Sequence, residues 1–415
     1  MSRDEILSKK IKQLEFELIK FKENNLDENI ILNRFWNEIM ENGSPILEEV
    51  NDDSQNLVVT FVYRGNPSTE NIVIQGSVPG YNYLENRMKN LFESDVWFKS
   101  YLIRNDVRFK YRLSVNDLLD DNYTVRSTNS IYDTLNRNTR VEIDIDIDID
   151  IDESGHKIET IYSLVEMPKV RKQVLINHRE NITRGKLRQF DLNCNNTMKS
   201  YKVWVYTPWQ YNIDKEYNML VLMDGLDFIN DLSAVTVLDN LIFDSKIEPI
   251  IVAFVDTSGD DRYDMLTCSD DLNHFIAKDL LTWIRERYKI TNLPSRNIIG
   301  GFSLGGLMAS FIALNNYDIF GKVICESGSF WWNDEWILEK YRSIPKLPLE
   351  FYLNVGILED RPYDSEPVMM DVINKFRDIL LSKGYKLHYD QFESGHDYLC
   401  WGEQLGMALI YMFKK

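Results

Sequence analysis

Cysteine and histidine are scarce in this chain, four and five among 415 residues. Cys194, Cys268, Cys325 and Cys400 stand far apart, without the paired spacing of a zinc site or the density of a disulfide scaffold. Positive charge is short as well. Lys and Arg total 47 against 65 Asp and Glu, a formal −18, which argues against a nucleic-acid-binding face because phosphate contacts need a net basic surface. A few arginines can still make a local positive field in one pocket. No segment approaches the roughly 18 apolar residues of a membrane span, and the N-terminus has no uninterrupted apolar stretch of the secretory kind. These absences predict a soluble cytoplasmic protein with no membrane and no nucleic-acid partner.

What is present is long and apolar enough, at 44% hydrophobic, to bury a sizeable core, and its length favours two domains. Near the start, Leu7, Ile11, Leu14, Leu18 and Phe21 recur at spacings of four and three. That stripe predicts an amphipathic helix packed on the domain behind it, with a partner-binding coiled coil as the other reading. Leu57 to Arg64, Asn71 to Gln75, Trp97 to Arg104 and Val107 to Leu113 are short, alternating and rich in β-branched and aromatic residues. They predict an antiparallel β-sandwich of the immunoglobulin or E-set kind, over residues 1–165 with the leading helix.

Within that span "VEIDIDIDIDIDESG" carries a carboxylate at every second position. Residues 142–153 are expected to form a solvated acidic connector; a two-faced ribbon is the alternative. Calcium binding is the weakest reading, since carboxylates on one strand face stand about 7 Å apart and no glycine turns the run. A linker at 166–183 precedes the second domain, 184–415. There, strand-like runs such as "NMLVLMDG", "PIIVAFVD", "NIIGG", "GKVICES" and "LEFYLNVG" alternate with helical segments at Asp271 to Tyr288, Leu307 to Asn315 and Val368 to Lys383. Alternation of this kind predicts an α/β fold, a mostly parallel sheet covered on both faces, with chemistry at the carboxyl ends of its strands.

Glycine too is sparse, 19 residues, yet four surround Ser303 in "GGFSLGG". Gly301 to Gly305 fits G-x-S-x-G, the nucleophile elbow, directly after an apolar strand and before a helix. A side chain two residues to either side of the serine would collide with the strand and helix it joins, and Gly300 and Gly306 widen the clearance. The serine needs a base. His156 falls in the acidic connector, His178 ahead of the second domain's first strand, His274 on a surface-patterned helix and His388 within the strand "YKLHYDQF". His396, on a Ser-Gly loop between the last strand and the terminal helix, stands where an α/β-hydrolase delivers its base. The third member should follow the penultimate strand, and position alone leaves Glu359 and Asp360 equal. Two backbone donors for an oxyanion are expected at Leu304 and, beside Gly225, at Leu226.

"SDVWFKSYLIRNDVRFKYRLSVND", "VYTPWQY", "LVLMDGLDF", "GGFSLGG", "ESGSFWW", "VGILED" and "GHDYLCWGEQL" together resemble the enterochelin esterases, and the likeness runs over most of the chain. The resemblance implies a serine hydrolase on an α/β-hydrolase domain preceded by the β-sandwich. It makes Ser303 the nucleophile, His396 the base and Glu359 the acid. Its substrate class would be the trilactone of an iron(III) catecholate siderophore of the enterobactin or bacillibactin type, cut in the cytoplasm to release iron. No cofactor is implied, since the iron enters with the substrate. Arg262 in "RYDML" matches a family arginine and is expected to contact substrate, although Met265 stands where the family has an acid. Trp331 and Trp332 offer π-surface for the same ligand, or simple core packing. A feruloyl or acetyl sugar esterase, and a non-catalytic siderophore- or glycan-binding protein, are the alternatives. The sequence carries no sign of oligomeric state.

Overall fold

A computed structural model describes residues 8–413 except 81, 121–122, 144–158, 198, 260 and 363–366. The acidic run therefore lies, from 144 onward, outside the described residues. The chain forms two compact units, one of Met1–Glu142 with Glu159–Arg171, the other of Ile143–Ile158 with Lys172–Lys415.

The first unit opens with helices α1 (Lys9–Glu23) and α2 (Glu28–Asn42). Ser8 caps α1 by accepting from the Ile11 N–H, and Asp27 caps α2 through Asn29. The α1 stripe Ile11, Leu14 and Leu18 is buried with Ile31, Phe35, Trp36 and Ile39 of α2 and with Val62, Val96 and Phe98 of the strands. The amphipathic face is thus spent inside its own unit. Strands β1 (Ile46–Val50), β2 (Asp53–Arg64), β4 (Lys89–Asn90) and β5 (Val96–Arg104) make one antiparallel sheet in the order β1-β2-β5-β4. Strands β3 (Ile72–Gly76), β6 (Arg108–Val115), β7 (Thr139–Ile143) and β8 (Glu159–Glu166) make another, ordered β3-β6-β8-β7. The inward Phe61 of β2 meets Tyr111 of β6 edge to face at 4.7 Å, so alternate residues of both sheets share one core.

The second unit is built on eight strands: β9 (Lys186–Asn193), β10 (Ser200–Thr207), β11 (Asn218–Leu222), β12 (Ile250–Val255), β13 (Asn297–Phe302), β14 (Lys322–Glu326), β15 (Glu350–Gly356) and β16 (Lys386–Phe392). Their order is β16-β15-β14-β13-β11-β12-β10-β9, with β11 to β16 mutually parallel and β10 antiparallel to both β9 and β12. The central strands are apolar on both sides. Met219, Val221 and Met223 join one core and Leu220 and Leu222 the other, as burial beneath helices on two faces requires. The helix expected from Asp271 to Tyr288 runs as Asp270–His274 and Leu281–Arg287 joined by a π-turn, Phe275–Leu280. No helix among the described residues is long and apolar enough to cross a membrane.

This order sets the position of the site. From β11 the chain moves outward to β12, then returns across β11 to β13 and continues the other way. The carboxyl ends of β11 and β13 consequently flank the point where the winding reverses, which is where open α/β sheets place their ligand crevice.

Candidate active site

Ser303 follows β13 directly, and the helix Leu304–Asn315 follows Ser303. Its backbone lies at φ 52°, ψ −124°, a left-handed conformation that a residue bearing a Cβ adopts only under constraint. The Ser303 N–H is tied to the Glu326 carbonyl at 2.9 Å. A Cβ on Gly301 would stand 2.6 Å from the Gly305 carbonyl carbon, and one on Gly306 would stand 3.1 Å from the Gly328 Cα. Gly301 and Gly306 are therefore imposed by the closeness of strand, turn and helix, whereas Gly305 leaves room for the Asp224 carboxylate and not for the strand or helix that its spacing implied.

His396 and Glu359 reach this serine from neighbouring loops. The turn after β15 and the turn after β16 are stitched together by Ile357 N–H to the Phe392 carbonyl, 2.9 Å, and Leu358 N–H to the Ser394 carbonyl, 3.0 Å. Asp397 caps the helix Tyr398–Met412 through the Leu399 N–H and accepts from the Ser394 hydroxyl, which fixes the segment carrying His396. The result is a continuous chain of side chains. His396 Nε2 lies 3.0 Å from Ser303 Oγ, and His396 Nδ1 lies 2.8 Å from Glu359 Oε2. The imidazole packs edge to face on Trp401 at 5.0 Å, and Trp401 stacks on Phe302 at 4.5 Å. Glu359 is 5% exposed, whereas Asp360 turns to solvent and pairs with Arg361. His388 sits elsewhere, stacked between Tyr352 and Tyr411.

Donor counting assigns the protons. The indole Nε1 of Trp401 can only donate, and it meets Ser327 Oγ at 3.3 Å. The Ser327 proton therefore goes to Glu359 Oε1, 2.6 Å away, which also accepts the Gly356 N–H at 2.7 Å. Oε2 is left for a proton on His396 Nδ1. Nε2 is then bare and accepts from Ser303, the arrangement that a general base requires.

The corner after β14 was not foreseen as part of the site. Ser327, wholly buried at φ 46°, touches the acid, and two residues on Ser329 touches the nucleophile, its hydroxyl 3.2 Å from Ser303 Oγ. The serines were legible in "ESGSFWW" only as part of a resemblance, with nothing local to mark what they reach. Trp331 and Trp332 follow, both half-buried against the core, and Asn333, Asp334 and Glu335 then all adopt positive φ. Such a run of left-handed residues costs about 1 kcal/mol or more apiece and survives only where its surroundings enforce it.

Just beyond β11, Asp224 is fully buried with φ 51°. It accepts from Arg262 Nε at 2.9 Å and Nη2 at 3.0 Å, and from the Thr257 hydroxyl at 2.7 Å. The acid partner missing at Met265 is thus supplied from the end of β11. Gly225 lies so near β12 that a Cβ would stand 2.7 Å from the Phe254 carbonyl carbon. Leu226 and Leu304 occupy first turns of the helices Gly225–Asn230 and Leu304–Asn315, where N–H groups lack intrahelical partners. A Cβ on Gly305 would stand 3.0 Å from Asp224 Oδ2, so the two helix starts adjoin. Among the described residues no cluster of His, Cys, Asp and Glu is placed to hold a metal ion.

The family model described as "Putative esterase" matches residues 194–412, just over half of the chain and nearly all of its second unit. The iron(III) enterobactin esterase of Escherichia coli strain K12 is 24% identical over 225 residues, 52% of this chain and 54% of that protein. The chain therefore spans about half the length of that curated relative. A namesake from Dickeya dadantii strain 3937 is 21% identical and aligns over 88% of this chain and 89% of its own. The crystal structure of ferric enterobactin esterase from Salmonella typhimurium, 20% identical, superposes with a TM-score of 0.70 over 90% of this chain and 96% of the other, and so shares the fold. Matched over just over half of its length, the chain belongs to the putative esterase family.

Proposed function

We propose that the protein is a serine carboxylic ester hydrolase whose substrates are the trilactones of iron(III) catecholate siderophores, acting in the cytoplasm. The observation that carries the reading is the unbroken chain from Ser303 through His396 to Glu359, with protons assigned as a base-activated nucleophile needs. His396 Nε2 takes the Ser303 proton while the serine oxygen bonds the ester carbon. The N–H groups of Leu304 and Leu226 receive the carbonyl oxygen as it gains charge. The imidazolium, steadied by Glu359, gives its proton to the departing alkoxide, leaving an acyl-serine. Water then repeats the sequence with the serine oxygen as leaving group.

Names of the curated relatives support the substrate class. Arg262, Trp331 and Trp332 are the proposed contacts for an aromatic, anionic complex on a chain of net charge −18. The Asp224 carboxylate orients the guanidinium for that task. Opening the lactone ring removes the preorganisation that makes the chelator tight, which eases iron release. Every proton transfer is carried by the chain's own side chains, and iron(III) is part of the substrate.

Incubation with ferric enterobactin, ferric bacillibactin and a simple aryl ester, followed by chromatography, tests the reading. Linear ring-opened products from at least one siderophore are expected. Cleavage of the aryl ester with both siderophores left intact would remove the substrate assignment, and no cleavage of any would remove the esterase.

A further inference from the structure

We propose that Ser329 is a further catalytic residue, whose hydroxyl donates a hydrogen bond to the oxygen of Ser303 and steadies the partial negative charge that this oxygen carries while its proton leaves ahead of the forming bond. The proposal rests on the serine-esterase reading above. Three observations place the group. Ser329 is 2% exposed, so its hydroxyl is shielded from competing water. Its backbone N–H donates to the Ser303 carbonyl at 2.9 Å, which locks the corner onto the nucleophile turn. Its Oγ lies 3.2 Å from Ser303 Oγ, on the same oxygen that His396 Nε2 reaches at 3.0 Å.

The direction of that bond follows from the number of protons. Ser303 has one hydroxyl proton, and the tautomer fixed by Glu359 and Ser327 commits it to His396. The contact between the two serines is then Ser329 donating and Ser303 accepting. In the attack, His396 Nε2 takes the Ser303 proton, an electron pair on Ser303 Oγ forms the bond to the ester carbon, and the carbonyl π pair moves onto the carbonyl oxygen. Ser329 keeps its own proton throughout. A hydrogen bond to an oxygen carrying charge is roughly twice as strong as one to a neutral hydroxyl. Only that difference speeds the reaction. The same bond is remade when the acyl-serine breaks down and the electron pair returns to Ser303 Oγ.

The corner Ser327-Gly328-Ser329 therefore serves both ends of the relay. Ser327 is a positioning residue, acting through Glu359, and Ser329 meets the reacting atom itself.

The test compares Ser329→Ala, Ser329→Cys and Ser329→Thr, each checked by thermal unfolding, in kcat/KM for an aryl ester and in the rate of inactivation by a fluorophosphonate. The second reads attack by Ser303 without any carboxylic substrate. Ser329→Ala keeps the backbone N–H and should lose about 10- to 100-fold in both rates. Ser329→Cys, which keeps the volume but donates weakly, should stay within a few-fold of alanine, while Ser329→Thr, which keeps the hydroxyl, should recover. Rates for Ser329→Ala within two-fold of the parent, or full activity in Ser329→Cys, would overturn the proposal, the latter by showing that the site needs only filling. Should threonine fail to fold, the alanine and cysteine comparison decides alone. A dead Ser303→Ala beside an unimpaired Ser329→Ala removes this proposal and leaves the esterase; an active Ser303→Ala removes the esterase first.

Discussion

Arg262 grips Asp224 through two nitrogens, Nε at 2.9 Å and Nη2 at 3.0 Å, although 38 residues separate them and Asp224 is wholly buried. Loss of the arginine leaves that carboxylate without its cation at the start of the helix that carries Leu226. Arg262→Ala should lower stability in urea by about 3–5 kcal/mol, and Asp224→Asn in the same chain should restore part of it. Kinetics then separate its roles. A loss confined to ferric siderophore marks a substrate contact, and equal losses on siderophore and a neutral aryl ester mark a structural pair.

Replacement of the nucleophile is the simplest test of the chemistry. Ser303→Ala should reduce ester hydrolysis by about 10⁴- to 10⁶-fold while unfolding and ferric-siderophore binding stay nearly unchanged, the residue coming from binding and oxyanion donors alone. Turnover near the parent rate would end the serine mechanism.

The two adjacent acids should part sharply. Glu359→Gln cannot stabilise the imidazolium and can offer its amide N–H to Nδ1, imposing the wrong tautomer, so kcat should fall by about 10⁴-fold. Asp360→Asn, altered at a solvent-facing position, should stay within two- or three-fold. An active Glu359→Gln beside a dead Asp360→Asn would move the acid by one residue.

His396→Ala should be inactive at every pH, and His388→Ala should keep its activity, because His388 is held between two tyrosines and contacts none of the three. The reverse result would place the base on β16.

Glu326, at the end of β14, is wholly buried, and burial pushes its carboxyl well above the usual carboxylate range, against a smaller opposing effect of the Asn354 amide. The folded chain thus holds this proton more tightly than the unfolded one. Its contribution to stability is full below the unfolded value of about 4.3 and is lost as pH rises toward the folded value. Glu326→Gln has no such proton to lose. The melting temperature of the variant minus that of the parent should rise from pH 4 to pH 8, and a flat difference would mean that Glu326 ionises alike in both states.

Much of this site was legible because α/β chemistry follows strand ends. An apolar run located β13 and the alternating stretch "YKLHYDQF" located β16, and the residues just beyond them were Ser303 and the loop bearing His396. The choice between Glu359 and Asp360 was not legible from position, since neighbours on a turn differ only in which one faces the interior. The turn Gly356 to Glu359 points the glutamate back at its own Gly356 N–H, and that is a property of three dimensions. The same holds for Asp224, joined to Arg262 across the crossover between β11 and β12, and for Ser329, brought to Ser303 by the parallel pairing of β13 with β14. Helix boundaries shifted for a local reason: glycines at 305 and 306 hid the first turn of the helix that starts at Leu304 rather than Leu307.

Chain order also imposes a timetable. Ser303, Glu359 and His396 leave the ribosome in that order, each just beyond its strand, β13, β15 and β16. The serine is thus synthesised before its base exists. A nascent chain holding β13 but lacking β16 carries a serine with nothing to draw off its proton. The chain of contacts from Ser303 through His396 to Glu359 is complete only with the edge strand β16 and the loop beyond it in place.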